Sequence, residues 1–164
     1  MFIDTSIFDQ AAYNFEAASI RAFKKAIEGT ALTLLMPDPT CREIRRHISD
    51  KAGSAVKSLE DAARRAPFLH KLTTWPLNDI NPKLLKGQID RIASRDLSAF
   101  LRLFSVLKLG YEGINIAEIM DWYDWQIPPF SGNKKSEFPD ALAVAMINYF
   151  HSQNPEPIAV ISRD

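Results

Sequence analysis

The first three residues form a very short apolar segment that ends at the acid Asp4. Thr5 and Ser6 follow, and either can cap a helix, so the pattern predicts a strand that leads directly into a helix. In an open α/β sheet, ligands bind outside the carboxyl ends of the strands. We therefore expect Asp4 to lie in a ligand-binding crevice.

A second strand is predicted from an apolar run between Ala31 and Met36, which is bounded by Gly29 and Pro37. Its lack of alternation is typical of a strand that is buried on both faces. Apolar residues recur at helical spacing over residues 8–28, before Gly29. The order strand, helix, strand predicts a right-handed parallel crossover.

The middle of the chain is predicted to be helical. One helix is expected to run from Asp38 to Ala66, with Cys41 as a buried thiol, and another from Leu84 through Leu107 to a stop at Gly110. Two long helices in succession indicate an insertion on an α/β core. We place this insertion at about residues 59–125.

The last third contains a short helix, a loop, a long helix and a final strand. Asn115 with Glu118 resembles a capping box for a helix through Trp122. Residues 128–135 predict a loop, and a helix follows from residue 137. The last eight residues, 157–164, repeat the pattern of the N-terminus, because an apolar segment that predicts a strand ends in the acid Asp164.

Composition narrows the function classes. The 164 residues are most simply one domain, and their formal net charge is zero, so no basic field argues for a strong nucleic-acid binder. One cysteine cannot form an internal disulfide. No apolar run is long enough to span a bilayer, and no signal peptide pattern is present. We expect a cytoplasmic protein that does not bind membranes.

Four acids occupy comparable places: Asp4 and Asp164 at strand ends, and Glu43 and Asp140 in the first turns of helices. Taken singly, the helical acids could simply favour the helix dipole. Two carboxylates about 4 Å apart repel by roughly 4 kcal/mol at a dielectric near 20, so a converging cluster needs protons or a cation. Oxygen ligands favour Mg²⁺ or Mn²⁺ over Zn²⁺, and such a centre suits phosphodiester hydrolysis.

Four segments together resemble the PIN domains, a family of metal-dependent ribonucleases. They are residues 2–6, residues 37–44, residues 135–142 and residues 160–164. The resemblance implies a three-layer α/β fold with a mainly parallel central sheet, helices on both faces and a helical insertion. It also implies an endoribonuclease, in a toxin-like or defence setting, that is controlled by a protein inhibitor or carried by a larger host protein. Homo-oligomers are compatible with it.

The same resemblance assigns roles to individual residues. Asp4, Glu43, Asp140 and Asp164 would bind the metal and be catalytic, with Glu137 competing with Asp140 as the ligand. Ser6 would support the site by fixing Asp4 or a metal-bound water, and Ser162 stands where the family often has serine or threonine near the last acid. In the family, the last strand usually leads into further acids, another strand and a helix, so we expect this chain to be incomplete at its C-terminus. The alternative is that Asp164 lies at a frayed terminus.

Basic residues beside the acids are candidates for binding the nucleic-acid backbone: Arg42, Arg46, Lys134 and Lys135. For the aromatic residues Trp122, Tyr123 and Trp125, packing in a core or interface is favoured over base stacking. The three histidines are too scattered in the sequence to indicate a metal site.

Two alternatives to the nuclease stay open. The first is a catalytically inactive PIN-like scaffold that binds a protein partner, which the neutral charge and the short C-terminus favour. The second is a haloacid-dehalogenase-like phosphatase, which also starts from a strand that ends in an aspartate. That class needs a second aspartate two residues later, where this chain has Ser6.

Overall fold

The computed structural model describes residues 1–74, 81–130 and 137–163. The chain divides into two compact units. One combines Met1–Ile44 with Leu101–Asp164, and the other is Arg45–Phe100. The first unit contains the sheet, and the second consists of helical segments. Within the described ranges, no helix is long and apolar enough to cross a bilayer.

In chain order, the elements are β1 (Phe2–Ile3), α1 (Thr5–Gln10), α2 (Ala18–Ile27), β2 (Thr33–Pro37), α3 (Asp38–Arg65), a 3₁₀ helix (Pro67–Lys71), α4 (Pro82–Leu101), β3 (Ser105–Leu109), α5 (Ile116–Asp124), α6 (Phe138–Gln153) and β4 (Val160–Ile161). The helix that starts at Asp38 therefore ends one residue before the predicted Ala66, and the second strand is shifted by one or two residues from its predicted bounds.

The four strands form one parallel sheet in the order β3-β2-β1-β4. Phe2 pairs with Leu35 on one side and with Val160 on the other. The chain moves one way from β1 to β3 and then crosses back to β4. Since parallel crossovers are right-handed, α1 and α2 lie on the opposite face from α5 and α6. The predicted α/β fold with a mainly parallel sheet is confirmed.

The sequence prediction of one continuous helix over residues 8–28 is wrong. The helix breaks between α1 and α2, where Ala12 and Tyr13 adopt left-handed φ angles of 49° and 58°. Phe8, Tyr13 and Phe15 are all buried, and the rings of Phe8 and Phe15 lie 6.0 Å apart. Burial of these aromatic side chains in the first unit outweighs the local helical preference.

The prediction that the helix containing Leu84 continues through Leu107 is also wrong. Helix α4 ends at Leu101, and β3 pairs with β2 along its whole length, from Ser105 beside Thr33 to Leu109 beside Pro37. Side chains of β3 are mostly exposed, as expected of an edge strand. Pairing with β2, which is distant in the sequence, determined that this segment is a strand. Apolar spacing alone does not detect such pairing.

Other predictions agree with the structure. Four of the five β2 residues are buried. The side chain of Asn115 accepts hydrogen bonds from the backbone of Ala117 at 3.1 Å and Glu118 at 3.5 Å, so it caps α5 as expected. Cys41 is an exception, because a buried thiol was predicted and the residue is only half-buried.

An aromatic cluster joins α5 to α6. The ring of Tyr123 lies 5.4 Å from Phe130 and 5.2 Å from Phe138, and Trp122 packs against the same core. Core packing, and not base stacking, therefore accounts for Trp122 and Tyr123. Trp125 differs from them, because 78% of its surface is exposed.

Candidate active site

Asp4 lies where β1 ends and α1 begins. Its backbone N–H donates to Ile161 of β4 at 2.9 Å, so the two parallel strands still pair at this point. Its side chain accepts a hydrogen bond from the backbone of Ser6 at 3.2 Å. Asp4 is thus the N-cap of α1, and the prediction that Thr5 or Ser6 serves as the cap is wrong. The helix begins at Thr5, earlier than that prediction requires.

The Asp4 carboxylate is held by one of its two oxygens. Oδ2 accepts from the backbone and hydroxyl of Ser6 and from the hydroxyl of Ser162 at 3.3 Å. The Ser6 hydroxyl in turn accepts from the backbone N–H of Arg163 at 3.4 Å. Oδ1 makes no hydrogen bond to any described residue. The network therefore orients the carboxylate and leaves one oxygen available to a ligand.

Glu43 is tied to the residue next to Asp4. The Thr5 hydroxyl donates to Glu43 Oε2 at 3.1 Å, across 38 positions of the sequence. Thr5 is buried, and Glu43 is half-buried in the second turn of α3, so its predicted place in the first turn is wrong. Thr5 therefore links the carboxyl end of β1 to α3 and does not cap α1. This link brings two of the four predicted acids to the same edge of the sheet.

Tyr13 is a residue of this region that the sequence reasoning missed. Burial raises the pKa of its phenol, and the negative charges of Asp9, Glu43 and Asp4 raise that pKa further. The hydroxyl is therefore neutral at ordinary pH and lies within electrostatic reach of both site acids. Nothing in the sequence pattern separates Tyr13 from the other residues of the predicted helix, because the break that positions it is a tertiary effect.

Two further candidate acids lie at the start of α6. Asp140 is exposed in the first turn of α6, and Glu137, just before that helix, is buried. Asp164 lies outside the described residues, as do Lys134 and Lys135. Among the residues the structure describes, no group of three or more His, Cys, Asp or Glu side chains is close enough together to hold a metal ion.

The two described basic candidates lie on α3. Arg42 is exposed and pairs with Asp38 at 2.7 Å, and this hydrogen bond and charge raise the pKa of Arg42. The Tyr111 hydroxyl also donates to Asp38 at 3.0 Å. Arg46 is exposed one turn further along the helix. Arg42 is therefore an exposed cation one residue before Glu43 in the sequence.

A protein-family model described as PIN domain matches residues 1–164. The chain belongs to the PIN domain family. No curated protein and no solved structure gives a significant match. PIN domains are generally nucleases, and they typically use divalent metal ions.

The donor set of this PIN domain suits a hard divalent cation. Within the described part of the site, carboxylate oxygens come from Asp4 and Glu43, and the hydroxyls of Thr5, Ser6 and Ser162 donate hydrogen bonds to them. Mg²⁺ is commonly bound through one or two protein carboxylates, with waters and phosphate oxygens completing its octahedron. The oriented Asp4 carboxylate, with Oδ1 open, fits that requirement.

Proposed function

We propose that this PIN domain is a Mg²⁺- or Mn²⁺-dependent endoribonuclease. The observation that carries the proposal is the Asp4 carboxylate, which three donors orient at the carboxyl end of β1 while one oxygen stays open. Thr5 ties Glu43 to the same place. In this proposal Asp4, Glu43, Asp140 and Asp164 supply the metal ligands.

The other residues of the proposed site position these acids. Ser6 and Ser162 hold Asp4, so the carboxylate does not need to reorganise when a cation or substrate arrives. A bound divalent ion would polarise the scissile phosphodiester and favour its hydrolysis. Because ordered carboxylates lose little freedom on binding, Asp4 contributes through its fixed orientation as well as through its charge.

Arg42 and Arg46 support a nucleic-acid substrate. Both are exposed near Glu43 on α3, where they would neutralise phosphates of an RNA strand. Lys134 and Lys135 stand close to Asp140 in the sequence and are assigned the same role. Since these contacts release counterions, RNA binding should weaken steeply with salt, and Lys134→Glu with Lys135→Glu should reduce that dependence.

The decisive experiment is cleavage of labelled single-stranded RNA and DNA by the purified protein in EDTA, Mg²⁺ and Mn²⁺. Asp4→Asn should reduce metal-dependent RNA cleavage by about 100-fold or more, since a lost charge-stabilising group typically costs that much. Asparagine is as good an N-cap as aspartate, so α1 is expected to form normally. Asp124→Asn, at an exposed acid that is not one of the four proposed ligands, is the matched control and should retain activity.

Two results would overturn this proposal. Wild-type protein that cleaves neither RNA nor DNA with any metal would favour the inactive scaffold that binds a protein partner. Equal activity of Asp4→Asn and Asp124→Asn would place the chemistry elsewhere. A companion pair, Asp140→Asn and Glu137→Gln, decides which of these acids belongs to the site: the exposed Asp140 is expected to be required, and the buried Glu137 to be dispensable for cleavage.

A further inference from the structure

The segment 111–129 carries a second group of acids, which does not include the four proposed metal ligands. It contains four acidic residues and no lysine, arginine or histidine. The four are Glu112, Glu118, Asp121 and Asp124, and all are exposed. Their carboxylates make no ion pair or hydrogen bond to any residue within the described ranges. Within the described residues, the segment therefore presents negative charge that no cation pairs with.

Large apolar side chains are exposed on the same segment. The exposed fractions are 58% for Ile116, 41% for Met120, 78% for Trp125 and 45% for Ile127. Ile116 and Met120 lie one turn apart on α5, so they share a face of the helix. Single exposed apolar residues are ordinary, but four of them within twelve residues of chain indicate a candidate protein-binding surface.

The core does not account for this outer face. Helix α5 packs inward through Ile119, which is 2% exposed, together with Trp122 and Tyr123, against Phe130 and Ala141. Ile116 and Met120 lie at the margin of this packed stripe and stay exposed. The apolar stripe of α5 is therefore wider than the core covers, and its exposed margin is available for docking.

The outer face is also held in a fixed geometry. Asn115 caps the start of α5, and the aromatic cluster anchors the helix to α6. Gly113 adopts a left-handed φ of 72°, and a side chain there would collide with the ring of Tyr149. Pre-organised side chains lose less entropy on binding, and tryptophan and methionine are enriched in interfaces.

We propose that this surface docks a basic amphipathic helix of a partner protein. The docking face consists of Ile116, Met120, Asp121, Asp124, Trp125 and Ile127. Apolar side chains of the partner would cover the first two and Trp125, and its lysines or arginines would pair with Asp121 and Asp124. Uncompensated acids repel phosphates, so charge favours a basic protein segment over RNA. The proposal does not depend on the nuclease function.

The probe is a fluorescently labelled synthetic helix with leucine on one face and lysine on the other, and its binding to the full chain is followed by anisotropy. Trp125→Ala is expected to weaken binding about tenfold, as loss of a central aromatic anchor does. Asp121→Lys with Asp124→Lys should weaken it by at least about tenfold and abolish its salt dependence. Circular dichroism checks that each variant is folded.

Matched controls distinguish specific docking from nonspecific binding of the probe. Phe68→Ala removes a side chain that is 65% exposed outside the docking face, and Glu28→Lys reverses an exposed acid elsewhere. Both should bind the probe within about twofold of wild type, which is the scatter expected of substitutions outside a binding surface. A second probe, in which serine replaces every leucine, should bind at least about tenfold more weakly if the apolar residues contribute.

Measurements on the same variants also test whether the docking face binds a different partner. Sedimentation that shows a wild-type dimer lost in Trp125→Ala would overturn the proposal in favour of a second copy of this chain. Single-stranded RNA binding that is lost in Trp125→Ala would overturn it in favour of a nucleic-acid surface. Equal loss of probe binding in Phe68→Ala and Trp125→Ala, or no binding by wild type, would show that this surface is not a specific docking site.

Discussion

Two acidic regions of this PIN domain carry the same kind of charge in opposite surroundings. At the end of β1, Asp4 accepts three hydrogen bonds, and Thr5 donates to Glu43. On α5, Asp121 and Asp124 are exposed and make no side-chain hydrogen bond to any residue that the structure describes. Hydrogen bonds orient the carboxylates at the end of β1, whereas those on α5 are exposed to solvent.

This difference bears on what each region can bind. Oriented, half-buried carboxylates suit a small hard cation, because the ligand oxygens are in place before it arrives. Exposed carboxylates beside apolar side chains suit a large partner, since they add charge selection to an area that can be dehydrated. A count of acids in the sequence would treat the two regions alike.

The largest expected difference between the regions is in metal binding. At Mn²⁺ about one hundredfold above its dissociation constant, wild-type protein should gain about 2.7 kcal/mol of unfolding free energy. Asp4→Asn with Glu43→Gln should abolish this gain, whereas Asp121→Asn with Asp124→Asn should preserve it. Thermal unfolding with and without Mn²⁺ measures both. Loss of the gain in the second pair would remove the distinction between the regions.

The next effect tests how rigidly α5 is held. Gly113→Ala places a methyl group at a left-handed φ and against the Tyr149 ring, so we expect a loss of about 2 kcal/mol in unfolding free energy. Chemical denaturation measures it. Gly53→Ala is the control, because its methyl would lie at an ordinary distance from the Lys86 side chain. Equal stability of the two variants would mean that the docking face is not rigidly supported by this contact.

A smaller effect is expected within the Asp4 network. Ser6→Ala removes a donor to Asp4 and an acceptor for Arg163, so it should cost about 1 kcal/mol and weaken Mn²⁺ binding at least tenfold, in the range of about 10- to 100-fold for supporting residues. Ser162→Ala removes a longer bond and should have a smaller effect on Mn²⁺ affinity. Isothermal titration measures both, and the reverse order would contradict the geometry.

The smallest expected effect is on the free energy of unfolding at alkaline pH, and it comes from Tyr13. Because the folded-state pKa of this tyrosine is raised above its ordinary value of about 10, the neutral phenol stabilises the fold below that pH, and the contribution is lost as pH rises further. Tyr13→Phe should therefore lose less stability than wild type above about pH 10. Tyr149→Phe, at an exposed tyrosine, is the control, and identical pH profiles of all three proteins would exclude this coupling.

Much of the fold follows from signals a few residues long. The apolar run of β2, the long helix from Asp38 and the cap at Asn115 were predictable because strand burial, helical periodicity and capping are local properties. The break after α1 and the edge strand β3 were not, since aromatic burial and pairing with β2 decided them. Both involve contacts that the local pattern does not encode.

The same division holds at the candidate site. The order of residues at the N-terminus was enough to predict that Asp4 ends a strand, and the family resemblance implied that Ser6 supports it. Neither predicted that Thr5 reaches Glu43 or that Ser162 meets Asp4 across 158 positions, because these contacts appear only in the folded chain. Hydrogen bonds between remote segments depend on strand order and register, which are set by burial of the whole core and not by neighbouring residues.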